Sequence, residues 1–465
     1  MHNPDIEPSR QLPPDVYVKI ALYIGNSDTF FSFLEALNAA DLRGPLEPFS
    51  QLSMTRGRQD LWPTLSLTYG LLRDSLNRRR VEAVLPYCSH VMIAWANDID
   101  WLGEHLPPSP VVEWCARFPD YTSTVRGQRV SLVEWFFKWA HLPLTHIHLR
   151  NQSETRSEAT YVTRNVAPYL YFVLPRCRNV VSLDLAGLLD LAAIFELATS
   201  STKLESLRIS SMNVPFLSIQ IVRQAIQWLT STRVRMFWFS KWTWDPTVDP
   251  SLQNAFLAAL FQCPTMINLS LTYCNLSQLN SEACTTLSTS LEILTLTSCQ
   301  LSSSCLVGLA HGLPKSNVVQ LHLEGMDEAD PATRHASFQH VLAAVAHSKV
   351  TTLTLERCID NDTVVYIGPW LAQTQLRDVS FVENGVMDSG AVALAKVLQG
   401  NTSIRRLNLD ANNLTVQGVV ALLEGNSIRS VPLEELGVAF NNIYLDEDKA
   451  MLRARAHRLS TIRFD

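Results

Sequence analysis

The sequence predicts an α/β solenoid, a curved parallel sheet with outer helices, preceded by a small helical module. Three observations predict it. One short pattern recurs along the chain: an apolar residue, two variable, Leu, one variable, Leu, two variable, then Cys or Asn. Its central positions return every 24 to 32 residues, about 28 on average. The segments between copies carry helical spacing where the pattern is cleanest, with Gly390, Leu394 and Leu398 matched by Gly418, Leu422 and Gly425.

The clear copies are Met266 to Cys274, Leu291 to Cys299, Val350 to Cys358, Leu376 to Asn384, Ile404 to Asn412 and Leu433 to Asn441. Weaker ones are Leu144 to Leu149, Val180 to Leu185, Leu204 to Ile209, Val234 to Phe239 and Val318 to Leu323, and Arg458 to Phe464 reads as a truncated strand. The equivalent central residues are Leu183, Leu207, Phe237, Leu269, Leu294, Leu321, Leu353, Val379, Leu407 and Leu436.

Within each copy, strand alternation sends residues such as Leu407 and Leu409 inward and Asn408 and Asp410 to the concave side. No unit can bury its apolar face alone, so stacking does it, and a row of helices wider than the row of strands forces curvature. Asn384, Asn412, Asn441, Cys274, Cys299 and Cys358 stand where the chain bends away from the strand. The turn leaves backbone amides and carbonyls without partners. An inward Asn amide can serve both, and Cys fits the same slot as a weaker donor.

The amino-terminal module is assigned to residues 12–65. Leu12-Pro13-Pro14-Asp15 opens a helix carrying Val16, Ile20, Tyr23 and Ile24, with Pro14 suited to its first turn. Gly25-Asn26 breaks it, a second helix is expected over Thr29 to Ala40, and Leu61-Trp62 is an apolar anchor. Residues 66–143 are assigned to degenerate opening repeats or a helical connector, with helical patterns at Leu71 to Val84, Val111 to Phe118 and Leu132 to Trp139. Residues 144–465 form the solenoid proper.

The 465 residues, 47% hydrophobic and 18% charged, describe an ordinary soluble protein with a large interior. A net charge of -6 argues against a general polyanion binder, so no nucleic acid is expected. The amino terminus lacks a signal-peptide pattern and no apolar run is long enough to span a membrane. Nine cysteines without a CxxC pair read as reduced and mostly buried, which suits the cytoplasm or nucleus.

No phosphate-binding loop, His-Glu-x-x-His or Gly-x-Ser-x-Gly is present, so the chain is not expected to be an enzyme. No cofactor, catalytic residue or metal ligand is assigned. His146 and His148 alternate on a short strand with no carboxylate or Cys at ligand spacing beside them, and read as strand-face histidines. Asp98 and Asp100 read as a turn or solvent loop. The stretch Phe237 to Trp244 has two readings. Trp238, Trp242 and Trp244 could form an exposed anchor for a protein partner, or the loop from Asp245 to Pro250 could fold over them and enlarge the core. His322, Glu324, Thr354, Glu356, Asn408 and Asp410 are expected on the concave face, a mildly acidic lining for a protein with some basic character.

The repeats resemble the ribonuclease-inhibitor-like class of leucine-rich repeats, with Leu407-x-Leu409-x-x-Asn412-x-Leu414-x-x-x-Gly418-x-x-x-Leu422 as the best copy. The resemblance implies a leucine-rich-repeat solenoid and leaves function open. The amino terminus resembles an F-box in Leu12, Pro13, Asp15, Val16, Ile20, Tyr23, Ile24 and the Leu61-Trp62 close. It departs in an extra Pro14, in lacking the family's Val-Ser/Cys-x-x-Trp core, and in the interruption at Gly44-Pro45. That resemblance implies a substrate-recognition adaptor whose Leu12, Pro13, Ile20 and Ile24 face the adaptor subunit of a cullin-RING ubiquitin ligase, with the repeats holding a protein substrate. The alternative is a plain interaction scaffold or a small-GTPase regulator without ligase contact.

Overall fold

The computed structural model describes residues 13–37, 40–108, 110–119, 124–125, 128–129, 131–149, 162–211, 214–276, 281–325, 331–456 and 458–464. The chain divides into two compact units, Met1–Lys203 and Leu204–Asp465. Leu12 lies outside the described residues.

The first unit opens with helices α1 (Pro14–Leu22), α2 (Ser27–Ala36), α3 (Ala40–Arg43) and α4 (Glu47–Ser53). Pro14 takes the first helical position of α1, where its missing amide hydrogen has no helical partner to lose. Asn26 ends the break and caps α2, its side chain accepting from the Thr29 amide at 3.0 Å, so the second helix starts two residues earlier than expected. Trp62 closes the module. Its ring stacks on Phe30 at 4.2 Å and meets Phe49 edge-on at 5.8 Å, and its Nε1 donates to the Ile24 carbonyl at 2.5 Å. Helix α4 packs against the helix Ser75–Val84, where Arg80 Nε donates to Gln51 Oε1 at 2.9 Å.

Strands β1 (Thr64–Leu67), β2 (His90–Ile93), β3 (Val111–Trp114), β6 (His146–Leu149) and β7 (Ser182–Gly187) pair in parallel in that order; β4 (Thr124–Val125) and β5 (Gln128–Arg129) form a separate antiparallel pair. Residues 111–114, expected as part of a helix, are thus a strand. The apolar residues at 112, 114, 116 and 118 alternate with period two, and Val112 and Trp114 are buried while Val111 and Glu113 are not. Behind the strands, Trp114, Trp135 and Trp139 fill the core with Phe118 and Phe136.

In the second unit the strands are β8 (Ser206–Ser211), β9 (Phe216–Leu217), β10 (Met236–Trp244), β11 (Asn268–Cys274), β12 (Ile293–Thr297), β13 (Gln320–Glu324), β14 (Thr352–Glu356), β15 (Asp378–Ser380), β16 (Arg406–Asn408), β17 (Glu435–Gly437) and β18 (Thr461–Arg463). All are parallel, in chain order from β8 through β10 to β18, with β9 pairing only the end of β10. The register runs through the central residues of the sequence pattern: Leu207 opposite Phe237, then Leu269, Leu294, Leu321, Leu353, Val379, Leu407, Leu436 and Ile462. Each is buried except Ile462, on the last strand.

Between these strands run helices that pack on one another in sequence, such as Asp388–Gly400 against Val416–Ser427. Side-chain caps start several: Ser218, Asp249 and Thr415 each accept from an amide of the first turn. This unit is a leucine-rich-repeat solenoid in strand order, register and repeat length. No helix among the described residues is long and apolar enough to cross a membrane.

Candidate interaction surface

At the ends of β11, β12 and β14 to β17 the turn is built around one buried side chain. Asn384 Oδ1 accepts from the amides of Cys358 (3.0 Å) and Ile359 (3.1 Å), and its Nδ2 donates to the Leu355 carbonyl at 2.7 Å. Asn412 does the same for the amides of Asn384 and Val386 and for the Phe381 carbonyl. Asn441 accepts from Leu414 and donates to Leu409, at 2.9 and 2.8 Å. Cys274, Cys299 and Cys358 sit in the same slot and donate, Sγ reaching the carbonyls of Phe239, Leu271 and Leu323.

Directly before the slot stands a residue with positive φ in each of these repeats: Tyr273, Ser298, Arg357, Glu383, Ala411 and Phe440. This left-handed position turns the following side chain into the stack and throws its own side chain out, leaving Tyr273 and Phe440 exposed.

The same signature corrects the reading of Trp242. Lys241 has φ 64°, and Trp242 pairs with Cys274 across β10 and β11. Trp242 therefore occupies the Asn/Cys slot of its repeat and is 2% exposed, enclosed by Phe239, Trp244 and Phe256. It is not an exposed anchor. Its Nε1 has no hydrogen-bond partner among the described residues. Residues 241–244 extend β10 rather than forming a loop, and pairing with β9 supplies the backbone partners: Thr243 N donates to Pro215 O at 3.0 Å and Asp245 N to Leu217 O at 3.2 Å. Trp238 is half-buried under the Arg208 guanidinium at 4.9 Å. Trp244, also half-buried, donates Nε1 to the Asn275 carbonyl at 3.3 Å.

His322, Glu324, Thr354, Glu356, Asn408 and Asp410 share the partly exposed face of β13 to β17, each directly after a buried leucine. Three arginines absent from the sequence reading stand among them. Arg357 lies beside Glu324, at 3.9 Å from Glu356 and 3.7 Å from Glu383. Arg406 holds Asp378 through two bonds of 2.5 and 2.9 Å. Arg463 bonds Asp410 at 2.6 Å, while Asp410 Oδ1 also accepts from the Ala439 amide. Asn408 Oδ1 accepts from the Asp410 amide at 3.0 Å. The mildly acidic face thus carries cations as well, each paired with a carboxylate. Arg357 could have been found from its place before Cys358, since a positive-φ residue must point outward.

Charge neighbours set the ionisation of this face. Burial pulls the His322 imidazole below its ordinary value, against the pull of Glu324, 3.7 Å away. Burial and the Glu324 charge raise the Glu356 carboxyl. His322, Glu324 and Glu356 lie close enough to share an ion, but the Arg357 guanidinium already stands among the two carboxylates.

In the first unit, His146 and His148 have companions that the sequence order hides. Glu113 and Cys115 come from the neighbouring strand, with His148 Nδ1 2.9 Å and Cys115 Sγ 3.1 Å from Glu113 Oε1. Hydrogen bonds from His148 and His90 pull the Glu113 carboxyl well below the carboxylate range, and burial with the Glu113 charge pushes the Cys115 thiol up. Burial lowers His146. Asp98, expected in a turn or solvent loop, is buried: it caps the helix Ile99–His105 and pairs with Arg78 at 2.5 Å. Asp100 pairs with Lys138 at 2.9 Å.

Of the amino-terminal residues, Pro13 is exposed, Ile20 is 40% exposed and Ile24 is half-buried; Tyr23, beside them, is 92% exposed. Helix α1 thus presents apolar side chains to solvent.

No family model matches the chain, and no curated protein matches it. Among solved structures, the leucine-rich repeat-containing protein LegL7 from Legionella pneumophila is similar, at 14% identity over 64% of this chain and 97% of that chain, with a TM-score of 0.38.

Proposed function

We propose that this chain is a protein-binding scaffold that works by holding a partner rather than by catalysis, and that it serves in the cytoplasm or nucleus as the substrate-recognition subunit of a cullin-RING ubiquitin ligase. The scaffold part rests on the face of β13 to β18. There His322, Thr354, Asn408 and the ion pairs of Arg357, Arg406 and Arg463 are held in fixed register on a rigid sheet. A surface that carries charges of both signs suits a folded protein or extended peptide that does the same.

The ligase part is supported by α1, whose Ile20, Leu22 and Tyr23 are exposed on a helix made rigid by Trp62, and by the F-box resemblance of Pro13, Ile20 and Ile24. Helix α4, packed on the helix Ser75–Val84, makes the same module a cap. The two roles use different helices and are compatible. In such a ligase the chain raises rate by bringing the substrate close to the transfer machinery.

The test is a titration of the purified full chain with the ligase's adaptor subunit. Binding that weakens at least tenfold in a folded I20D/Y23D variant supports the ligase role, and no association at micromolar concentration removes it. A photoreactive side chain placed at Thr354 should cross-link partner protein in cells, whereas one at the exposed helical residue Val392 should not. Equal yields would remove the scaffold face.

A further inference from the structure

Strand alternation in the first unit gathers donors of three kinds on one face. β2, β3 and β6 bury Val91, Ile93, Val112, Trp114, Ile147 and Leu149, which sends His90, Glu113 and His148 to the opposite side. Cys115 joins them, because its amide donates to Ile93 O at 2.9 Å and so keeps the ladder going one residue past β3. A carboxylate oxygen of Glu113, the Cys115 sulfur and an imidazole nitrogen of His148 lie within 4.8 Å of one another.

Sulfur, nitrogen and oxygen together suit a borderline divalent ion rather than magnesium or calcium, which take oxygen. Around tetrahedral zinc, bonds of about 2.0 to 2.3 Å put neighbouring donors roughly 3.3 to 3.7 Å apart. The contacts of 2.9 and 3.1 Å from Glu113 Oε1 are slightly shorter, so at these two contacts an entering ion spreads the donors by about half an ångström. A thiolate and a carboxylate balance the charge of a divalent ion. The thiol proton leaves to solvent as the metal–sulfur bond forms.

Outer contacts fit as well. The second oxygen of Glu113 meets His90 Nε2 at 2.9 Å, and His90 Nδ1 meets Thr64 Oγ1 at 3.2 Å. His148 Nε2 is 3.5 Å from Ser182 Oγ, which leaves Nδ1 for the ion. Two imidazoles around a carboxylate could be a self-contained ion-pair network. Cys115 argues otherwise: it is half-buried and aimed at the carboxylate, while the eight other cysteines are buried. Among the described residues no Lys or Arg pairs with Glu113, unlike the Glu324 cluster, which Arg357 already neutralises.

We propose that Glu113, Cys115 and His148 bind a divalent transition-metal ion of the zinc class, with the fourth position open to water and His90 orienting the carboxylate from the outer sphere. The site is independent of the scaffold reading.

The test uses the metal-stripped full chain, titrated with Co2+ and then with Zn2+ against a chromophoric chelator. One ion per chain with a thiolate-to-cobalt charge-transfer band is expected. C115S should abolish the band, H148A should weaken zinc at least tenfold, H90A by about 10- to 100-fold, and H322A not at all. Zinc should also slow alkylation of Cys115 at least tenfold in the unaltered chain, mapped by mass spectrometry, so that the decision does not depend on variants that fail to fold. Cobalt binding without the band, zinc affinity unchanged in both C115S and H148A, or unchanged alkylation of Cys115 would overturn the proposal.

Discussion

Asn412 holds Asn384 in place: its Oδ1 accepts from the Asn384 backbone amide at 3.0 Å, while its Nδ2 donates to the carbonyl of Phe381, three residues earlier. Both groups are buried, so nothing else can serve that turn. Asn412→Ala should therefore cost about 3 kcal/mol, because it strands two amides and a strand-end carbonyl away from water. Cys358→Ala should cost about 1 kcal/mol, since that thiol is only a weak donor. Urea unfolding midpoints of the two variants decide it, and equal losses would show that the Asn does no more than fill space.

Trp242 and Trp238 should separate in the same assay. Removing the enclosed ring in Trp242→Ala leaves a cavity and should cost about 4 kcal/mol. Trp238→Ala loses a half-buried ring under Arg208 and should stay within about 1 kcal/mol. A larger loss at Trp238 would contradict the assignment of Trp242 to the turn slot.

Two glycines test the packing between helices. A Cβ at Gly418 would come within 2.3 Å of Asp388 Oδ1, the oxygen that accepts from the Thr415 amide at 2.8 Å. Gly418→Ala should cost about 2 kcal/mol as Asp388 is forced off its partner. Gly400 ends a helix with open space around it, so Gly400→Ala should be neutral within about 0.5 kcal/mol, or slightly stabilising. Thermal midpoints that fall equally would refute the distinction.

His322 should make stability depend on pH. Burial lowers its folded pKa, so between that value and the unfolded one, about 6.5, the unfolded chain binds more protons. Its contribution is complete above the unfolded pKa and declines as pH falls through that window, levelling off below the folded value. His322→Gln should lose less stability than the unaltered chain between about pH 7.5 and 5.5. Parallel unfolding curves at the two pH values would exclude this.

The stack was legible because its cause is periodic. Leu269, Leu294, Leu321, Leu353, Val379 and Leu407 repeat at intervals that only neighbouring layers can satisfy, and each faces the next in the predicted register. Trp242 was not legible, because its slot is defined by the positive φ of Lys241, and Lys is not a residue that announces that conformation. Glu113 and His148 lie 35 positions apart, and only the pairing of β3 with β6 brings them together. Val111 to Phe118 was misread as helical because an apolar run that short fits a helix or a strand, and pairing with the neighbouring β2 makes residues 111–114 a strand. In α1 the periodicity found the helix, but Tyr23, in line with the apolar positions, belongs to its outer surface.

The asparagine turns point one way. Asn384 serves the backbone of residues 355–359, Asn412 that of 381–386, and Asn441 that of 409–414. Every such side chain secures the layer ahead of it in sequence and none the layer behind. Loss of a layer at the carboxyl side therefore opens the asparagine latch of its predecessor, while loss at the amino side leaves the asparagine latches closed and frees instead the Thr415 and Ala439 amides that Asp388 and Asp410 hold. The asparagine turns thus give the stack a direction that parallel strands alone would not impose.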